Sequence, residues 1–207
     1  MLILFILPSC SSGYLKDFAK FENSKFIEPI IFGDNFEKTT YKTNLTVMGN
    51  NLSGILLIKK TSEEEFRFVF VSEIGLKYFD LGIKNSNVKQ EYTTHYLMPA
   101  LNRGETKDIL FNDFSKLTIQ YLSKSKPIIY KQTTTENIAI KYNEPDNESV
   151  YFLDDNNSNI ERILWKNNIT GKSQIILSHY HTSIPQQIEI SNKKYGLNMD
   201  MKEIIND

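Results

Sequence analysis

The chain has 207 residues, of which 24 are Lys or Arg and 25 are Asp or Glu, giving a formal net charge of −1. The nearly balanced charge and the lack of a basic run disfavour nucleic acid as a partner. This length, with 40% hydrophobic residues, fits one domain with a sizeable core, and the one cysteine excludes an intramolecular disulfide.

The chain begins with an apolar segment that leads to this cysteine. Residues 1–7 read MLILFIL, and a Pro-Ser pair joins them to Cys10, which precedes two serines and a glycine. One interpretation is a hydrophobic strand with an incidental cysteine. We favour the other, because the segment resembles the lipobox of bacterial lipoproteins. The resemblance implies a signal peptide at 1–9, an acylated Cys10, and a lipid anchor and tether at 10–24 in a lipoprotein of the outer membrane.

Three elements are predicted between the tether and residue 50. Tyr14, Phe18 and Phe21 have the spacing of one face of a short helix. Residues 26–32 predict a strand, and the proline within it indicates an edge strand. Residues 38–48 alternate between polar and apolar side chains, which predicts a strand with one face in water.

Residues 53–83 predict a β-meander whose three strands are 55–60, 66–72 and 76–83. In the middle strand, alternate phenylalanines occupy one face, while valines share the other face with an arginine. An antiparallel strand with one wet side would instead alternate cleanly between apolar and polar residues. The second face therefore needs a cover, which is a helix, another sheet or a lipid-like ligand.

One long helix is predicted at about 105–122, after a strand at 88–97 and an apolar loop at 98–101. Such a loop either tucks under the domain or makes a contact, and we favour the first interpretation, in which it plugs one end of the barrel. Acidic residues, including Asp113, lie in the first half of the helix, where the helix dipole favours them. Its apolar residues form one stripe near the 3.6-residue period. The stripe consists of Ile109, Leu110, Phe114, Leu117, Tyr121 and Leu122.

Seven further strands follow, separated by short polar loops, as in an antiparallel sheet that coils or closes. The whole pattern predicts a mainly β fold: an antiparallel half-barrel, or curved sheet, in the order β-meander, helix, β-meander, with the helix as cover. We expect residues 25–207 to form this single domain. The seven predicted strands are 128–133, 137–142, 150–153, 160–165, 174–181, 188–190 and 195–201.

The sequence carries no catalytic signature, since it lacks the GxSxG, GxxxxGK[S/T] and HExxH motifs. A His-X-His pair at 179–181 has no evident third ligand, so exposed strand residues are the better interpretation. The acidic loop that begins at Asp154 fits a polar hairpin turn better than a calcium site. Asp80 is expected to pair with Arg67 or Lys77. We therefore expect no enzyme, no cofactor and no metal.

Four parts of the chain carry a further resemblance: Cys10, residues 53–58 (SGILLI), residues 73–76 (EIGL) followed by Phe79-Asp80, and residues 184–190 (IPQQIEI). Together they resemble the lipoprotein carrier and receptor proteins LolA and LolB. The resemblance implies an unclosed antiparallel barrel that holds acyl chains in an apolar concavity. It also implies a part in the transfer of lipoproteins to the outer membrane.

Two functions remain open from the sequence. The first is a membrane-anchored lipoprotein that binds lipid or another acylated ligand. The second is a non-catalytic structural or interaction lipoprotein of the envelope, in which the helix fills the concavity and an envelope protein is the partner. For the first function, the expected lining of the lipid site is Leu57, Phe66, Phe68, Phe70, Phe114 and Leu117.

Overall fold

The structure, a computed structural model, describes residues 13–21, 30–33, 35–86, 89–118, 127–143 and 147–205. Within these ranges the chain forms a short 3₁₀ helix at Gly13–Leu15, thirteen β-strands and one α-helix. The predicted signal peptide at 1–9 and the predicted lipidation site, Cys10, lie outside the described residues. The elements are β1 Phe18–Lys20, β2 Lys38–Val47, β3 Asn50–Lys60, β4 Glu65–Val71, β5 Lys77–Asn85, β6 Gln90–Leu97, α1 Thr106–Leu117, β7 Ile128–Gln132, β8 Ile138–Asn143, β9 Asn147–Leu153, β10 Ile160–Asn167, β11 Gly171–His181, β12 Ile184–Asn192 and β13 Leu197–Glu203.

All thirteen strands belong to one antiparallel sheet, in the order β1-β7-β8-β9-β10-β11-β12-β13-β2-β3-β4-β5-β6. The strands before α1, β2–β6, form the first meander, and those after it, β7–β13, form the second. The two meanders join where β13 pairs with β2, which sets Met201 opposite Thr43. The strands at the two edges, β1 and β6, do not pair with each other, so the sheet is open. The mainly β class, the open antiparallel sheet and the order meander, helix, meander are therefore confirmed.

The sheet curves around its own apolar face. A flat sheet of thirteen strands would be about 60 Å wide, whereas a helix is only about 10–12 Å across. One helix cannot cover such a surface. Instead, the inner side chains of both meanders and of α1 pack into one hydrophobic core, to which β2 contributes Tyr41 and β12 contributes Ile188.

The two faces of β4 differ more than its sequence indicates. Phe66, Phe68 and Phe70 are at most 1% exposed on the inner face. The alternate residues, among them Val69 and Val71, are half-buried on the outer face. The helix or second sheet expected over the second face is absent among the described elements, since α1 packs on the inner face and all thirteen strands belong to one sheet.

Helix α1 starts within one residue of its predicted beginning and ends earlier than predicted. The last helical residue is Leu117, and the Thr118 N–H donates a hydrogen bond to the Ser115 carbonyl, which closes the helix with a tighter turn. The residues predicted to continue it, from 119 onward, lie outside the described ranges. Within those ranges, no helix has the length and apolar character needed to cross a bilayer.

Near the N-terminus, one local prediction was wrong, and a second one fails over the few of its residues that the structure describes. The helix expected from Tyr14, Phe18 and Phe21 is replaced by the short 3₁₀ helix and by β1, which pairs with β7. The Phe18 ring packs edge-on against Phe152, with centroids 5.7 Å apart, so tertiary pairing overrides the local helical spacing. Residues 30–32, the described end of the predicted strand 26–32, are not in a strand.

Candidate functional site: helix α1 inside the sheet

The structure brings five of the six predicted lining residues together. Phe66, Phe68 and Phe70 share the inner face of β4, and α1 directs Phe114 and Leu117 into the same core. The Phe68 and Phe114 rings are stacked, with centroids 4.4 Å apart and planes 10° from parallel. This contact fixes the helix against the centre of the first meander.

Leu57 is the sixth predicted lining residue, and it lies on the opposite face. Its cross-strand partner is Val69, whereas its neighbours Leu56 and Ile58 are fully buried on the inner face. Because side chains alternate along a strand, Leu57 cannot reach the side where the phenylalanines lie. The lining predicted from sequence therefore combines residues from two sides of the sheet.

The space between the sheet and α1 is filled in this conformation. Phe68 and Phe114 are both 0% exposed, and Leu117 is 1% exposed. Stacked rings at 4.4 Å are in van der Waals contact, so a hydrocarbon chain has no room between them. The apolar concavity that the sequence predicts is therefore present, but α1 occupies it.

The same helix carries a carboxyl group into the core. Asp113 is 1% exposed, and the Trp165 indole N–H donates a hydrogen bond of 3.1 Å to its Oδ1. The Lys116 ammonium lies 5.6 Å from the centroid of the Trp165 ring. Asp113 Oδ2 has no hydrogen-bond partner of good geometry, although the nearby Ser173 hydroxyl favours the ionised carboxylate. A buried acceptor without a partner destabilises the packed arrangement.

Burial raises the pKa of Asp113 to about 7. Ser173, Trp165 and Lys116 oppose this rise, but desolvation outweighs them. A carboxyl with a pKa near neutrality changes charge in the range in which proteins work, whereas an exposed aspartate stays ionised there. The packing of α1 on the sheet is therefore linked to protonation.

The contact between Asp113 and Trp165 was not predicted from the sequence. Asp113 was assigned to the favourable end of the helix dipole, but it faces the core directly before Phe114. The usable signal was an acidic residue inside the apolar half of an amphipathic helix. Trp165, the one tryptophan of the chain, gives no local sign that its partner comes from α1.

Asp80 pairs with both of its predicted partners, on the outer face of β5. Arg67 contacts its two carboxylate oxygens at 2.7 and 2.9 Å, and the Lys77 ammonium lies 3.0 Å from Oδ2. Burial alone would raise the pKa of Asp80, but hydrogen bonds from Arg67 and Lys77 hold it below its usual value. This carboxylate is a structural partner of two cations.

The other polar candidates serve local structure. Asp154 accepts hydrogen bonds from the Ser158 backbone N–H at 2.8 Å and from the Asn159 side chain at 3.0 Å, which closes a polar hairpin turn as predicted. The His179 ring lies 3.1 Å from the Ser178 hydroxyl at the surface. The described part of the chain contains no group of three or more His, Cys, Asp or Glu placed to hold a metal ion.

Comparisons with known proteins give structural similarities only. No family model and no curated protein matches the chain. A proposed outer membrane lipoprotein-sorting protein domain from Vibrio parahaemolyticus aligns with a TM-score of 0.49 and 7% identity, over 83% of this chain and 85% of that one. A LolA superfamily protein from Nitrosomonas europaea gives 0.47 and 8%, over 84% and 87%. A DUF1329 family protein from Desulfovibrio piger gives 0.45 and 8%, over 83% and 85%. Such values assign neither a family nor a function to the chain.

Proposed function

We propose that the protein is a non-enzymatic lipoprotein of the outer membrane, anchored through an acylated Cys10, that binds an acyl chain in the place α1 now fills. The observation that carries this proposal is the buried Asp113 carboxyl with its unpaired Oδ2. We propose that this binding serves the transfer of lipoproteins. The ligand of the protein is then the acyl portion of a lipid or lipoprotein.

Helix α1 is the element best suited to leave the core. Its second half is enclosed on all sides, including the polar side chains of Asp113, Ser115 and Lys116. Enclosing a carboxyl and an ammonium is unfavourable, so movement of α1 into water recovers part of the free energy of its lost apolar contacts. The strands have no such compensation, since their inner side chains are mainly apolar.

The exchange of helix for ligand is close to balanced in free energy. Phe114 and Leu117 each contribute about 1.5–3 kcal/mol through burial, and other apolar residues of α1 add similar amounts. The five buried apolar residues of α1 together contribute about 7–15 kcal/mol. An acyl chain contributes about 0.8 kcal/mol for each CH₂ group that it buries, so about ten to eighteen such groups supply about 8–14 kcal/mol. A near balance permits reversible loading, which a carrier needs.

A pair of aspartate substitutions on α1 tests this mechanism. At pH 8, Asp113→Asn removes the buried charge, stabilises the packed helix and is expected to weaken binding of a fluorescent fatty acid by about tenfold or more. Asp108→Asn is the matched control, because Asp108 is exposed on the same helix. Fluorescence titration measures both affinities. Equal affinities for the two variants would contradict the exchange of α1 for ligand.

A second candidate function is a structural or interaction lipoprotein with a permanently filled core. The stacking of Phe68 on Phe114 favours it, since this contact fills the concavity. In that case the fatty acid does not bind to the wild-type protein at any pH. A pull-down with an envelope partner that is unchanged in Phe68→Ala would then support this function.

A further inference from the structure

The outer surface of the first meander carries cations in cross-strand register. Lys38 of β2 lies opposite Lys59 of β3, and Lys59 lies opposite Arg67 of β4. All three alternate with buried neighbours, so they point away from the core. Like charges directly opposite each other destabilise a sheet, and three such residues in one row call for a functional explanation.

A second row runs parallel to the first, four residues further along β2, and carries a cation at each end. Lys42 pairs with Ile55, Ile55 with Val71, and Val71 with Lys77. Between the two rows lie Leu57 and Val69, and the Asp80 carboxylate beside them pairs with Arg67 of the first row and Lys77 of the second. The outer surface therefore presents a small patch of half-buried apolar side chains with cations around it. The patch consists of Ile55, Leu57, Val69 and Val71.

The charge of this surface contrasts with that of the whole chain. The outward side chains of β2–β5, here called the basic face, hold six cations and two anions, a net charge of +4, whereas the chain carries −1. Among the ion pairs between described residues, none involves Lys38, Lys42 or Lys59. The six cations are Lys38, Lys42, Lys59, Arg67, Lys77 and Lys84, and the two anions are Glu65 and Asp80.

We propose that the basic face docks on an anionic phospholipid surface. Lysines spaced about 13 Å apart along one strand and about 5 Å apart across strands form a plane of charge rather than a pocket for one ion. Headgroups that move laterally can match such a pattern, and lysine contributes electrostatic attraction without demanding a fixed geometry. The apolar patch of Ile55, Leu57, Val69 and Val71, with cations around it, suits the boundary between headgroups and acyl chains.

This docking is separate from the proposed acyl-chain site, because the two lie on opposite faces of the sheet. Phe68 points inward, whereas Lys59 and Arg67 point outward. A protein that fails to bind fatty acid can therefore still bind anionic membranes through the basic face. The two proposals fail in different experiments.

The test is sedimentation of the full 207-residue chain with lipid vesicles. The chain is expected to bind phosphatidylcholine vesicles containing about a third phosphatidylglycerol more tightly than pure phosphatidylcholine vesicles, and to lose this difference in about 1 M salt. The triple variant Lys38→Gln, Lys42→Gln, Lys59→Gln is expected to lose about a hundredfold in affinity for the anionic vesicles, about fivefold for each lysine. All three lysines are exposed, so the fold is expected to persist.

The matched control removes the same charge elsewhere, through Lys107→Gln, Lys166→Gln and Lys193→Gln, at three exposed positions outside the basic face. This control is expected to bind the anionic vesicles within about threefold of the wild-type chain. Equal losses in the two triple variants would overturn the proposal, since net charge alone would then explain binding. It would also be overturned if wild-type binding did not depend on lipid charge, or if a soluble polyglutamate, but not vesicles, bound to the face.

Discussion

Replacing Phe68 with alanine is expected to lower the free energy of unfolding by about 3–5 kcal/mol. Phe68 is 0% exposed, and its ring is stacked on Phe114 at 4.4 Å. The substitution removes the stacked pair and leaves a cavity beneath α1 that the surrounding side chains fill only in part. Denaturation by urea, followed by circular dichroism, measures the loss.

Leu57→Ala is the matched control for this prediction, because Leu57 lies one strand away on the outer face. Leu57 is half-buried, so its truncation is expected to lower the free energy of unfolding by only about 1 kcal/mol. A loss for Leu57→Ala as large as that for Phe68→Ala would show that the outer face is covered in solution. It would then contradict the assignment of the two residues to different environments.

The free energy of unfolding is expected to fall by about 4 kcal/mol through Asp113 as the pH rises from about 4 to about 8. The pKa of Asp113 is about 7 in the folded protein and 3.8 when exposed, because burial disfavours the carboxylate. The folded state therefore binds a proton more tightly than the unfolded state. The stabilisation that this tighter proton binding gives to the folded state is complete below pH 3.8 and is lost as the pH rises through 7.

Asp113→Asn isolates this contribution from those of other acids. Glu161, whose pKa burial also raises, contributes with the same sign, whereas the lowered pKa values of Asp80 and Asp154 contribute with the opposite sign in more acidic solution. These contributions are the same in the wild type and in Asp113→Asn, so they cancel in the difference between the two free energies of unfolding. Urea denaturation at several pH values measures this difference, which is expected to grow between about pH 4 and 8. A constant difference would contradict a buried, titrating Asp113.

Most of the strands were predictable because their apolar residues follow a local pattern. β2 alternates visibly from Lys38 onward, and its buried residues fall at every second position. The pairing of β13 with β2 was not predictable, since it joins residues such as Met201 and Thr43 that are far apart in sequence. β1 was mistaken for a helix for the same reason, because its partner strand β7 follows more than a hundred residues later.

The candidate site was predictable only on its apolar side. The alternation of Phe66, Phe68 and Phe70 locates the inner face of β4, and the helical stripe identifies Phe114. Leu57 was assigned to the wrong face, because a run of aliphatic residues in β3 does not show which residues point inward. Periodicity also cannot show that a polar residue of a helix meets a tryptophan from another meander.

The quenching of Trp165 fluorescence tests the displacement of α1 most directly. Trp165 is the one tryptophan in the chain, is 1% exposed, and contacts the helix through Asp113 and Lys116. We expect acrylamide quenching to be weak in the protein alone and to rise saturably as a fatty acid binds, because α1 leaves the indole. Fatty acid that binds while Trp165 stays shielded, or that does not bind at all, would contradict a helix that gives way to an acyl chain.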